Sequence, residues 1–124
     1  MGAGLPNLVS MTRTPDIPDY LVGHMGGEFW NDYETHEKHS AMYRIANVKT
    51  PMQVIHGANV LRVPFTQGQE FFGALQRRGV PTEMVVYPRT GHGPSEPRFV
   101  MDVSLRILTW FDRHLGRKPA TTDR

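Results

Sequence analysis

Cysteine is absent from this sequence, which excludes a disulfide framework and thiolate chemistry and suits a reducing compartment such as the cytoplasm. No apolar run approaches membrane length, so no bilayer-spanning helix and no membrane partner are expected. The first residues have neither the basic-then-apolar order of a secretory signal nor the Arg-rich amphipathic order of a transit peptide. A large excess of one charge is lacking too: 14 basic against 12 acidic side chains leave a formal net charge of +2. The excess is uneven, with four basic and six acidic groups in residues 1–50 and ten and six in residues 51–124. Most of it is arginine on predicted helices, Arg77, Arg78, Arg106 and Arg113, and in the tail. The clustered stripe with stacking aromatics that nucleic acid requires is missing, so no nucleic-acid partner is expected.

A chain of 124 residues suits one domain, here 1–116, followed by a polar tail at 117–124. Its organising stretch is Thr50–Gly93. Two short apolar runs, Met52–His56 and Glu83–Tyr87, flank a helix-length segment closed by Gly79, with Pro81 preventing its continuation. This is the pattern of a βαβ unit with parallel strands. The helix begins near Pro64 and Thr66 and turns Phe71, Phe72, Ala74 and Leu75 to the sheet. Residues 1–29, rich in Gly, Pro, Asn and Asp, read as loop or extended segments. Asn31 or Asp32 caps a helix running to about His39, and Ser40 can cap a second short stretch in which Met42, Ile45 and Val48 recur at every third position. A last helix starts near Ser95-Glu96-Pro97, where Ser95 is a candidate cap, and carries the stripe Val100, Val103, Ile107, Phe111 and Leu115, read as covering one sheet face. Trp30, Trp110, Phe71, Phe72 and Phe111 read as core. The expected architecture is α/β: three layers, with helices on both faces of a small parallel sheet.

Beyond the second strand stands Gly91-His92-Gly93, at the sheet edge where ligands and catalytic groups collect in open α/β folds. With His56-Gly57, Arg62-Val63-Pro64, Gly68, Arg78-Gly79-Val80-Pro81 and Tyr87-Pro88, this stretch resembles the closing part of the catalytic domain of the S9 serine peptidases, the prolyl oligopeptidase and acylaminoacyl peptidase group of α/β-hydrolases. Asp16-Ile17-Pro18-Asp19-Tyr20 and Glu37-Lys38-His39-Ser40 extend the resemblance over nearly the whole chain. It implies that His92 descends from the catalytic histidine, which takes the serine proton and returns it to the leaving group. It also implies a peptide or small ester as the ligand, and no cofactor.

The other two members of such a triad are not found where the resemblance puts them. The acid position, two residues before Arg62-Val63-Pro64, is Val60, whose isopropyl group cannot accept a hydrogen bond from imidazole. Neighbouring Asn59 points differently in a loop and is not expected to stand in. No G-x-S-x-G occurs, and Ser10, Ser40, Ser95 and Ser104 lack that setting. The chain thus reads as the family domain cut after the nucleophile, a catalytically incomplete relative. Two alternatives remain open: a small serine-type hydrolase using His92 with a nucleophile from an unexpected position or a second chain, and a non-catalytic interaction module.

Other constellations are weaker. His36 and His39, with Glu34 or Glu37 nearby, could share a helix face, but a metal needs further convergent ligands, so no metal site is assigned. His56 reads as structural and Arg62 as a loop anchor. Glu96 and Asp102 read as a helix start and a solvated helix face. Strand Met52–His56 can pair with Glu83–Tyr87 on one edge only. Its other edge carries no proline, lysine or inward charge within Met52–Ile55, so a homo-oligomer through that edge is expected unless residues 1–29 fold back over it.

Overall fold

A parallel pair of strands forms the centre of the computed structural model, which describes residues 1–116. The tail expected at 117–124 lies outside the described residues. Strand β1 (Met52–Gly57) pairs with β2 (Thr82–Tyr87) in parallel, in a register that sets Val54 beside Met84 and Ile55 beside Val85. Between them runs α4 (Phe65–Arg77), the crossover helix, and α5 (Pro97–Leu115) follows β2. Short helices precede the sheet: α1 (Leu8–Met11), α2 (Asp19–Met25), α3 (Tyr33–His39) and a 3-10 turn at Ala41–Asn47.

The period-two alternation of the strands sorts the layers. Val54 packs with Phe71, Leu75 and Val80 on the α4 side, and Met52, Met84, Met42, Ile45 and Val48 close that cluster. The three-residue recurrence of Met42, Ile45 and Val48 fits the 3-10 geometry, in which positions i and i+3 eclipse. On the opposite face, Gln53, Glu83 and Tyr87 meet α5: the Gln53 amide reaches the Arg106 carbonyl at 3.5 Å, and the Tyr87 and Phe99 rings lie 5.2 Å apart. Gly79 and Gly116 close α4 and α5 with φ of 71° and 68°, the left-handed conformation that costs other residues most. The three-layer α/β arrangement is the one expected.

Several local expectations are corrected. Residues 1–29 are partly helical, because Leu8, Met11 and Leu21 have Val60 and Val63 to pack against and this tertiary burial outweighs the turn-forming composition. Ser40 does not cap the stretch after it. Its hydroxyl donates to the His36 carbonyl at 2.6 Å and accepts from the Leu8 amide at 2.9 Å, tying α1 to α3. Asp32 does cap α3, accepting from the Thr35 amide at 3.1 Å. The cap position of α5 is Glu96, without a side-chain cap bond, so Ser95 has no capping role.

The largest correction concerns α5. Only Trp110 of this helix is buried, while Phe111 is 53 % exposed and Val100, Ile107 and Leu115 also face outward. The helix is rolled so that Phe99, Asp102, Arg106 and Trp110 address the sheet, because polar bonds from Asp102 and Arg106 to Tyr87 and Glu83 fix that face. Trp30, at 58 % exposed, is a second aromatic outside the core; the Arg13 guanidinium lies over its ring at 5.4 Å.

The far edge of β1 is not bare either. Met1–Ala3 run parallel to it: the Ile55 amide donates to the Met1 carbonyl at 2.7 Å, and the Ala3 amide donates to the Ile55 carbonyl at 3.0 Å. The Met1 ammonium also donates to the Gln53 carbonyl. The chain's own first residues therefore occupy the edge through which a second copy was expected to pair.

Core and surface substitutions should separate cleanly. Leu75→Ala, at a fully buried position in the α4 cluster, is expected to cost about 2–5 kcal/mol. Phe111→Ala is expected to stay within about 0.5 kcal/mol. Urea midpoints of the two variants measure this, and equal losses would contradict the roll of α5.

Candidate functional site

The loops leaving β1 and β2 at their carboxyl ends are stitched together by the backbone. The Ala58 amide donates to the Tyr87 carbonyl at 2.9 Å, and the Asn59 amide donates to the Thr90 carbonyl at 3.0 Å. Gly57 makes this closeness possible: a Cβ there would lie 2.4 Å from the carbonyl oxygens of both Thr90 and Gly91. The contact of Asn59 with this turn is thus a backbone one.

The turn that follows carries His92 and is fastened at both ends. Arg89 adopts φ of 58°, a left-handed conformation unfavourable for a residue with a Cβ. Its guanidinium grips Glu96 at 3.1 and 3.2 Å, and Arg98 joins the same carboxylate at 3.2 Å. Both arginines lie over the Phe99 ring, at 5.7 and 5.1 Å. These two pairings hold the Glu96 carboxyl below its ordinary range, the hydrogen bond from Arg89 first. Glu96 is therefore the anchor of the turn as well as the start of a helix.

His92 is exposed, and its ring makes no hydrogen bond to the described residues. It lines a cleft of about 630 Å³. Met1–Ala3 and Ile55 form one wall of the cleft, and Val103, Ile107 and Phe111 of α5 form the other. The outward-facing apolar stripe of α5 is in part this wall. A group on this surface can exchange protons with a ligand in the cleft, and the apolar wall suits the hydrocarbon part of such a ligand.

Val60 is buried in the cluster of Leu8, Met11, Leu21 and Val63, an apolar environment with no role for a carboxylate. Asp16 is an acidic residue that no sequence pattern marks for this site. Arg62 binds it through Nε at 2.6 Å and Nη2 at 3.1 Å, and the Asp16 amide donates to the Leu61 carbonyl at 3.1 Å. Its carboxyl is held below the ordinary range first by the Arg62 hydrogen bond and, in smaller measure, by the charge of His92. Arg62 is the loop anchor expected, holding the Asp16 segment to the loop after β1. No spacing in the sequence links Asp16 to His92, which lie on separate loops, so only the folded chain reveals the relation.

The remaining candidates are structural. His56 is buried with Nδ1 2.9 Å from the Gly57 carbonyl and its ring edge-on to Phe65 at 5.6 Å. His36 is buried on α3 with Nδ1 2.9 Å from the Asp32 carbonyl, while His39 is exposed. Among the described residues no group of three or more His, Cys, Asp or Glu converges. No helix among them is long and apolar enough to cross a membrane.

With this geometry in view, the chain matches the prolyl oligopeptidase family of the S9 peptidases over residues 1–118. The chain belongs to this family. The acylamino-acid-releasing enzyme of Mus musculus is 37 % identical over 118 residues, covering 89 % of this chain and 16 % of that protein. Acylamino-acid-releasing enzyme 1 of Oryza sativa is 31 % identical over 122 residues, covering 90 % of this chain and 16 % of that protein. Among solved structures, the acylaminoacyl peptidase of Pyrococcus horikoshii superposes with a TM-score of 0.85 at 22 % identity, over 98 % of this chain and 20 % of that one. A puromycin-hydrolyzing peptidase of Mycobacterium tuberculosis superposes with a TM-score of 0.87, also at 22 % identity, over 95 % of this chain and 18 % of that one. The fold is accordingly that of part of an S9 α/β-hydrolase domain, and the chain spans about a sixth of the length of these relatives.

The contact between Tyr87 and α5 has a pH signature. The Tyr87 hydroxyl donates to Asp102 at 2.6 Å, and burial followed by this bond pushes the phenol up to about 12. The same bond, with Arg106, pulls the Asp102 carboxyl down. A raised phenol stabilises the fold fully below its ordinary value of 10.0 and loses that contribution as pH rises toward about 12. A lowered carboxyl contributes above its ordinary value of 3.8 and is lost as pH falls. Tyr87→Phe should therefore be less stable than the parent at pH 7, with the difference narrowing at both extremes, as thermal melts across pH would show. A constant difference would contradict the bond.

Proposed function

We propose that this chain is the histidine-bearing part of an S9-type serine hydrolase domain, holding the general base without the nucleophile, and that alone it is catalytically incomplete. The observation that carries this reading is the position of His92: exposed, beyond the carboxyl end of β2, and lining a largely apolar cleft. Two further facts support incompleteness. The 124 residues contain no G-x-S-x-G, and Val60, where the family resemblance puts the acid, is buried among apolar side chains. An imidazole without a hydroxyl to activate performs no acyl transfer. The ligand class that suits the cleft is a peptide or small ester.

A second reading has one observation in its favour. A small part of the lowering of the Asp16 carboxyl comes from His92, so a carboxylate, itself paired with Arg62, lies within electrostatic reach of the histidine despite Val60. In that reading a nucleophile supplied by a second polypeptide completes the site.

A fluorophosphonate probe is expected to leave the isolated chain unlabelled. Hydrolysis of p-nitrophenyl acetate is expected at the same rate for the parent and His92→Ala, and Val60→Asp should bring no gain. Stoichiometric labelling that disappears in Ser95→Ala, or ester turnover gained by Val60→Asp, would overturn the incomplete-site reading. Turnover that appears only with an added polypeptide and is lost in both His92→Ala and Asp16→Asn would establish the second reading.

A further inference from the structure

The cleft that His92 lines has a long axis, and one buried polar group partway along it lacks a partner. Helix α5 runs antiparallel to the strands: Tyr87 meets Asp102 and Phe99 at the carboxyl end of β2, and Glu83 meets Arg106 and Arg113 near its start. The strand register sets Gly57 beside Tyr87 and Gln53 beside Glu83. Residues at both levels line the cleft, Gly57, Thr90 and Val103 toward the His92 turn and Gln53, Ile107 and Phe111 further along. Between Gly57 and Gln53 the strand covers about 13 Å at the rise of a parallel strand. Gln53 is only 7 % exposed and shares the cleft with the apolar side chains of Ile55, Ile107, Trp110 and Phe111. Its Nε2 donates to the Arg106 carbonyl at 3.5 Å, and no described residue donates to its Oε1. Gln53 also borders a polar pocket of about 310 Å³, but there Arg106 pairs with Glu83 and Asp102, and Arg113 pairs with Glu83, so those cations are engaged by carboxylates. A buried amide oxygen that loses water and gains no donor is costly.

We propose that the cleft takes the acyl chain of a long-chain ester carrying a hydroxyl near its far end, with the acyl carbonyl at His92 and the hydroxyl donating to Gln53 Oε1. This rests on the reading of the cleft beside His92 as the ligand site, and it narrows the class of ligand. An unbroken hydrocarbon chain laid past Ile55 and Ile107 strips Gln53 of water and offers no hydrogen bond in exchange. An extended peptide offers a donor, but it also carries several more backbone N–H and C=O groups into the same apolar lining, where Gln53 satisfies only one. A linear aliphatic chain with a single donor matches what the cleft presents: apolar surface along its length and one free acceptor about 13 Å from Gly57. Gln53 is then the residue that selects among apolar chains, since a site with a buried acceptor rejects the analogue that lacks the donor.

Isothermal titration calorimetry of the 124-residue chain with methyl ω-hydroxydodecanoate is expected to show binding at one site. The affinity should be about tenfold or more above that for methyl ω-methoxydodecanoate, which keeps the oxygen and loses the donor. Gln53→Met keeps the length of the side chain and removes the acceptor, so it should abolish the preference for the alcohol. Equal affinity of the parent chain for the two esters overturns the proposal. So does a preference that survives in Gln53→Met, or the absence of binding by either ester. The comparison on the parent chain needs no variant, so it decides the question alone if Gln53→Met does not fold. Ester binding requires no nucleophile, so these outcomes are separate from fluorophosphonate labelling, which tests the incomplete-site reading.

Discussion

Two parallel strands cannot persist in water by themselves, and the described chain is arranged around covering both faces and the β1 edge of one such pair. A strand left uncovered would expose bare backbone groups and wet β-branched side chains. Helix α4 meets this demand on one face with Phe71 and Leu75 against Val54. Met1–Ala3 meet it along the β1 edge. On the remaining face α5 does so only in part, through Trp110 and the polar contacts of Asp102 and Arg106, and the gap beside it is the cleft that His92 overlooks. Scaffold and site thus have one origin, since the candidate site lies where coverage of the sheet is incomplete.

The βαβ core was legible because its signals are local. Met52–His56 and Glu83–Tyr87 are β-branched and bulky, Gly79 and Pro81 punctuate the crossover, and each of these residues acts within a few positions of itself. Family membership was legible for the same reason, carried by short motifs such as Arg62-Val63-Pro64 and Gly91-His92-Gly93. What the sequence concealed depends on distant partners. Leu8 and Met11 become helical because Val60 and Val63 come to them from fifty residues away. The stripe of α5 was read correctly as a helix but given the wrong neighbour, because periodicity says which residues share a face and not what that face meets. Ser40 and Ser95 show the same limit: both have the chemistry of caps, and the bonds they make or lack are decided by tertiary geometry.

At the candidate site the division is similar. The position of His92 at a strand end follows from the βαβ pattern. The clamp that steadies its turn, Arg89 and Arg98 on Glu96 with Phe99 beneath, is close in sequence and could have been suspected from the clustering of opposite charges. Asp16 could not, since its partner Arg62 lies 46 residues away in the sequence.

The short parallel run of Met1–Ala3 along β1 bears on the order in which the chain assembles. The βαβ unit closes over about thirty residues, whereas joining the Met1 ammonium to the Gln53 carbonyl closes a loop of 52. The entropy of loop closure rises with length, and the longer closure is rewarded by only three backbone bonds. Loop-closure entropy therefore favours pairing β1 with β2 over docking Met1–Ala3 on the edge of β1. Since Met1–Ala3 also form a wall of the cleft, the shape of the cavity beside His92 depends on that long-range closure.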